Sequence, residues 1–174
     1  MNGTGGVLTR EDILKLLGNT PPLVAEAINL GEQLQPNGID LTVREISAFE
    51  SRGNITEGNE GRQLPRTAAL PFDAHGGVDL EAGAYLVTFN EVVNLPLNVM
   101  ALGRPRSSLN RCGASIHSAV WDAGYSGRSQ SLLVVYNNQG FRLHKNARIM
   151  QLVFMYTSAD VGRGYSGKYQ HENT

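Results

Sequence analysis

The stretch GRPRSSLNRCGASIHSAVWDAGYSG, residues 103 to 127, is the one around which the rest of the chain is organised. It holds a polar turn, Arg106-Ser107-Ser108, and a hairpin signal, Asp122-Ala-Gly-Tyr125-Ser-Gly127. Arg106 offers a planar fork of donors suited to phosphate oxygens, and Ser107 and Ser108 add two hydroxyls beside it. Asp122 is the only carboxylate between Glu91 and Asp160, so a general base from this half of the chain must be Asp122. Donors for an anion, then a lone acid on a tight turn, are what hydrolysis of a phosphate ester needs. Each half also has a plainer reading. An Arg-Ser-Ser turn serves as a solvated connection, and Asp-x-Gly is a common turn signal.

Outward from this stretch the chain reads as strands broken by turns. On the C-terminal side, Leu132 to Tyr136 is apolar on both faces, which predicts a central strand or a contact between subunits. An Asn137-Asn138-Gln139-Gly140 turn follows, then strands through Phe141, Leu143 and Ile149 to Phe154. On the N-terminal side, Tyr85, Val87 and Phe89 share a strand face, and Pro96 ends the run Val92 to Leu95 because it cannot donate to a ladder. Ile39, Leu41 and Val43 alternate with Asp40 and Thr42, so Asp40 points away from the apolar face. Residues 51 to 64 are polar and glycine-rich, hence an exposed loop or hairpin tip with nothing catalytic in it. Short strands with frequent turns predict an all-β sandwich or barrel.

One helix is predicted. Thr9 can cap the free amide of Asp12, Leu8 can staple onto Ile13, and Gly18 stops the helix. Ile13, Leu14, Leu16 and Leu17 are expected to form its buried face. Residues 1 to 7 read as loose. At 174 residues the chain is expected to be a single domain, 1 to 174. The net charge of −1 offers no global attraction to nucleic acid or to an acidic membrane. One cysteine, Cys112, excludes an internal disulfide framework and a multi-cysteine zinc site. The four histidines are scattered without metal-ligand spacing, and no segment reads as a signal peptide or membrane span, so a soluble cytoplasmic protein is expected. The tail, residues 160 to 174, is too polar for core. It reads as a frayed end or as a flexible flap, with glycine hinges, cations for phosphate and aromatics to stack on a base.

Taken together, these stretches resemble the fold family shared by deoxyuridine triphosphatase and dCTP deaminase. Leu8 to Leu17, Gln33-Leu-Gln35-Pro36 into Gly38-Ile-Asp40-Leu41, and Leu80-Glu-Ala-Gly83 to Pro96 look like the deaminase branch. Arg106-Ser107-Ser108-Leu109-Asn-Arg111-Cys-Gly113 is similar to its phosphate-binding motif. Asp122-Ala-Gly-Tyr125-Ser-Gly127 is similar to the dUTPase motif with the water-activating aspartate and the tyrosine against deoxyribose. Asn146 to Phe154 looks like the motif whose glutamine, here Gln151, reaches the triphosphate, and Gly164 to Gln170 resembles the closing tail. One departure matters: deaminases of this family carry a glutamate where Val134 stands, and residues 123 to 159 contain no acid.

The resemblance implies a distorted β-barrel or jelly-roll in a homotrimer with active sites at subunit interfaces. It implies a dUTP diphosphatase, releasing dUMP and pyrophosphate, with Asp122 activating the water. Arg106, Ser107, Ser108, Arg111 and Gln151 would hold the triphosphate, Tyr125 would lie against the sugar, and Lys168, Tyr169 and Gln170 would close over the substrate. No metal ligands are expected from the protein; Mg²⁺ should arrive on the triphosphate. Uracil would be read by backbone groups of the hairpin after Asp122. The rival readings are a bifunctional dCTP deaminase and dUTPase, a broader nucleotide pyrophosphatase, and a non-catalytic nucleotide-binding β-barrel.

Overall fold

A computed structural model describes residues 6 to 174. Its elements are α1 (Arg10–Leu17), β1 (Val24–Ala25), α2 (Leu30–Gln33), β2 (Leu34–Gln35), β3 (Gly38–Phe49), β4 (Thr67–Ala69) and β5 (Gly77–Leu80). Then come β6 (Gly83–Phe89), β7 (Val92–Asn94), β8 (Val99–Pro105), α3 (Ser107–Arg111), β9 (Ala114–His117) and β10 (Val120–Trp121). The chain closes with β11 (Ser126–Gly127), β12 (Gln130–Val135), β13 (Phe141–His144) and β14 (Arg148–Tyr156). The protein is mostly β with few helices. The largest sheet runs β10-β8-β14-β3-β6-β12-β9, with β2 and β4 both pairing β3. A three-stranded sheet, β1-β7-β11, and the β13-β5 pair complete the fold.

The first helix follows its local signals. Thr9 Oγ1 accepts from the Asp12 amide at 3.3 Å, and the Asp12 side chain accepts from Thr9 N at 3.3 Å. Such a cap is worth about 1 kcal/mol. Leu8 and Ile13 are both fully buried, as a staple requires. The predicted apolar face is narrower than expected. Ile13 is the helix's one buried residue, Leu16 and Leu17 pack half-buried against the core one turn on, and Leu14 is exposed, because it stands about 100° round the helix from Ile13. Of residues 1 to 7, expected to be loose, 1 to 5 lie outside the described residues, whereas Gly6 and Val7 are tied to β14: Tyr156 N donates to Gly6 O at 2.9 Å, and Val7 bridges to Met155.

Two further differences bear on the site. Tyr85 to Pro96 is two strands in two sheets, because the chain leaves the ladder at Asn90-Glu91 to bury Glu91. The Glu91 carboxylate accepts from Gln33 Nε2 (2.7 Å), Thr42 N (2.9 Å) and Thr42 Oγ1 (2.6 Å). Burial pushes its carboxyl up, against those hydrogen bonds. The run Leu132 to Tyr136 resolves as a central strand: β12 pairs with β6 on one edge and β9 on the other. Ser131, Leu133 and Val135 are buried, Leu132 and Val134 are half-buried, and Tyr136 is exposed.

Candidate active site

The residues singled out from the sequence fall into two groups. The first lies at the end of β8. Ser107 and Ser108 form the first turn of α3 rather than an open turn; both are exposed, as is Arg111. Arg106, the residue before that helix, stands beside Asp40, with Nε 3.1 Å from Oδ2. Arg148 Nη1 approaches the same oxygen at 3.7 Å. Asp40 is almost fully buried, and its Oδ2 has no well-aligned hydrogen bond, so the contact is chiefly electrostatic. Burial raises the Asp40 carboxyl, and the two guanidinium charges oppose that rise. Gln151 is half-buried and paired in register with Asp40, which puts it on the same sheet face. Its side chain runs over Gly38, where a Cβ would meet Gln151 Nε2 at 3.1 Å and the Leu152 carbonyl at 2.4 Å.

The second group surrounds Asp122. Tyr125 N donates to Asp122 O at 3.0 Å, and Gly124, at φ +85°, holds the turn position that favours glycine. Gly124 also packs on Gly164, whose Cα would sit 2.7 Å from an added Cβ. Asp122 is exposed, and its carboxylate takes no hydrogen bond from the described residues. It lines a cavity of about 670 Å³, together with Trp121, Tyr125, Gln130, Tyr169 and Glu172. Tyr125 is buried, and its ring meets Tyr165 edge to face with centroids 5.8 Å apart. Its hydroxyl donates to Glu172 Oε1 at 2.9 Å. Burial, then the Glu172 charge, raise the tyrosine's pKa; burial raises that of Glu172 as well.

The tail lies along this hairpin. Tyr165 N donates to Ala123 O (2.8 Å), His171 N to Ser126 O (2.7 Å) and Arg128 N to Glu172 O (2.9 Å). The Gln170 amide spans the turn, accepting from Ser126 N at 3.1 Å and donating to Gly124 O at 3.0 Å. Asn173 Nδ2 donates to Arg128 O at 2.9 Å. Buried Arg128 clamps the assembly, reaching Asn173 O at 3.0 Å and Glu26 Oε2 at 2.7 Å. Tyr169 lines the cavity with Arg62 over its ring at 5.9 Å, while Lys168 is exposed.

One chain does not bring the two groups together. Trp121 pairs with Ala101, so Asp122 follows toward Met100. Arg106 lies five residues from Ala101 in the opposite direction along β8. At the usual rise of a strand, Asp122 and Arg106 are separated by roughly 20 Å.

Several residues of the second group carried no sequence signal. Glu172 is a second carboxylate lining the cavity, contributed by a tail that reads as solvent-exposed. Leu64 and Pro65, at the base of the hairpin expected to be inert, line the same cavity. Arg128 lies between β11 and β12 and Gln130 opens β12, in a stretch that carries no motif of its own. Val134 pairs with Ala84 and Ser115. All four histidines are exposed. Among the described residues, no group of three or more His, Cys, Asp or Glu could hold a metal ion, and no helix is long and apolar enough to cross a membrane.

Comparison with known proteins agrees with the architecture. The sequence profile of the family described as dCTP deaminase-like matches residues 7–157. A protein of Methanosarcina barkeri named "Probable deoxyuridine 5'-triphosphate nucleotidohydrolase" is 49% identical over 168 residues, 97% of this chain and 98% of the relative. An Archaeoglobus fulgidus protein of the same name is 42% identical over 167 residues, 96% of this chain and 97% of the relative. Among solved structures, 2'-deoxycytidine 5'-triphosphate deaminase from Agrobacterium tumefaciens superimposes with a TM-score of 0.68 at 20% identity. That match covers 89% of this chain and 48% of the other, and it speaks to the fold.

Proposed function

This chain belongs to the dCTP deaminase-like family, and on that premise we propose that it is a dUTP diphosphatase, hydrolysing dUTP to dUMP and pyrophosphate. The observation that carries the reading is Asp122, an exposed carboxylate with no side-chain partner among the described residues, in one cavity with buried Tyr125. A carboxylate free of partners can orient a water and take its proton as that water attacks the α-phosphorus. The Tyr125 ring, held by Tyr165 and Glu172, offers a fixed surface for a deoxyribose. Mg²⁺ is substrate-borne in this reading, carried as the chelate of the triphosphate.

The triphosphate grip belongs to Arg106, Ser107, Ser108, Arg111 and Gln151. Arg106 spends Nε on Asp40, and Nη1 reaches Arg148 O at 3.4 Å, leaving Nη2 for a phosphate oxygen. Because Asp122 and Arg106 stand roughly 20 Å apart in one chain, the complete site takes its base from one copy and its grip from another. A homotrimer closes such a shared site. The tail residues Lys168, Tyr169 and Gln170 close over the bound nucleotide, with Tyr169 already lining the cavity.

The direct test is product analysis with dUTP, dCTP and UTP. Pyrophosphate should appear rapidly from dUTP and slowly from UTP, and no ammonia should appear from dCTP. Ammonia release from dCTP would move the chain to the bifunctional reading and make Glu172 the acid to examine, because it is the other carboxylate lining the cavity with Asp122. Nucleotide binding without any turnover would support the non-catalytic module instead.

Glu172 also makes tail docking pH-dependent. Burial raises its carboxyl above the ordinary value of 4.5, so the docked tail favours the protonated form. The stability from this group is complete below that ordinary value and is lost as pH rises through the raised one. The single tryptophan, Trp121, lines the cavity and reports on its cover. Its emission should shift as pH rises through that window, and Glu172→Gln should flatten the response. An identical profile in that variant would remove Glu172 from tail docking.

A further inference from the structure

A nucleobase entering the cavity needs a reader, and the hairpin backbone is already engaged. The Gly124 carbonyl and Ser126 amide are held by Gln170, the Ser126 carbonyl by His171, and the Arg128 amide by Glu172. The lining side chains are largely apolar or aromatic, and the tyrosine hydroxyls nearest the hairpin are already engaged. Tyr125 donates to Glu172, the Tyr165 hydroxyl accepts from Tyr169 N at 3.3 Å, and Ser129 Oγ is buried out of reach. Gln130 is the one carboxamide among the lining residues, and it is exposed.

We propose that Gln130 is a base-reading residue, its side-chain carbonyl accepting the N3–H of a uracil ring. This rests on the dUTP diphosphatase reading above. The amide is anchored: Nε2 donates to Thr88 Oγ1 at 2.9 Å, across the register pair Gln130↔Thr88. That bond spends the donor end on the sheet, so Oε1 is the end left over, and it takes no hydrogen bond from the described residues. Oε1 is an acceptor only. Uracil presents N3–H, a donor, and the two match. Cytosine presents a bare lone pair at N3, and two acceptors facing each other leave both unsatisfied. A site built to accept a hydrogen bond rejects the base that cannot donate it. Leu132 and Val134 follow Gln130 at two-residue spacing on β12 and so share its face. Gln130 is therefore the polar residue on the face where the related deaminases place an acid, and an amide there can read a proton but cannot shuttle one.

The test is discrimination, measured as the ratio of kcat/KM for pyrophosphate release from dUTP and dCTP. Gln130→Leu should lower that ratio about tenfold, through a raised KM for dUTP, as loss of one uniform binding contact predicts. Gln130→Met, similar in length and without the carbonyl, should do the same and guards against a packing defect. Thr88→Val removes the anchor and should lower the ratio less, which marks Thr88 as a positioning residue. Unchanged discrimination in folded Gln130→Leu and Gln130→Met would overturn the proposal and return base reading to the hairpin backbone after the tail withdraws. Failure of the wild-type protein to hydrolyse dUTP would strike the functional reading instead. The two failures are therefore separable.

Discussion

Asp122→Asn is expected to lower kcat for dUTP by ~10²- to 10⁴-fold, the usual cost of losing a general base. Asparagine has nearly the shape of aspartate, and the Asp122 carboxylate takes no hydrogen bond from the described residues, so the substitution should leave the fold undisturbed. The turn itself is held by backbone, from Tyr125 N to Asp122 O, and by Gly124, which the variant does not touch. KM should change little, because the residues proposed to bind the triphosphate and the sugar remain. Steady-state kinetics with a thermal melt on the same preparation decides it. Near-normal kcat would reduce Asp122 to a turn residue. Loss of binding and melting together would make it structural, and the base would have to be sought elsewhere, with Asp40 next in line, although Arg106 and Arg148 already occupy Asp40.

Mixing two inactive variants is expected to restore activity. Arg106→Ala removes the proposed charge-assisted grip on the triphosphate and should cost ~10²- to 10³-fold in turnover, the scale of losing a donor to developing charge. It also leaves buried Asp40 with Arg148 alone at 3.7 Å. That should destabilise the chain by about 1–3 kcal/mol, below a fully buried pair because Arg106 is partly exposed. If each site joins Asp122 of one copy to Arg106 of another, randomly mixed trimers of Asp122→Asn and Arg106→Ala regain about one quarter of wild-type sites. If one chain builds its own site, the mixture stays as inactive as its components. Co-refolding the two variants and assaying pyrophosphate release distinguishes a quarter from nothing, a difference large enough to survive imperfect exchange. Light scattering on the same mixture reports whether the copies assemble as three.

Sequence pattern carries furthest where an interaction is short in the chain. The Thr9–Asp12 capping box and the Asp122 to Tyr125 turn are each closed within four residues, so each is visible as letters and realised as geometry. The alternation along Ile39, Leu41 and Val43 is equally local, and those residues are core. Pattern misleads where a face is shared. Leu14 has the right spacing for burial but lies exposed, because only tertiary contact selects which side of a short helix meets the core. Asp40 was legible as pointing away from the apolar side. That the other side is also buried, with two arginines waiting there, depends on β14 and on the chain just after β8, more than sixty residues downstream.

By itself the sequence determined the mostly-β architecture, the first helix and its cap, the motif order that places the chain in its family, and Asp122 as the isolated acid of its half. Only the tertiary structure decided how the parts meet. It folded a polar tail onto the Asp122 hairpin through backbone and side-chain hydrogen bonds that join residues more than forty positions apart, beyond the reach of local pattern. It also brought Glu172 and Gln130 into one cavity with Asp122, although fifty residues separate Asp122 from Glu172. And it set Arg106 at the far end of β8 from that cavity, a separation invisible in letters only sixteen positions apart, because strand pairing rather than sequence distance sets where an antiparallel chain returns.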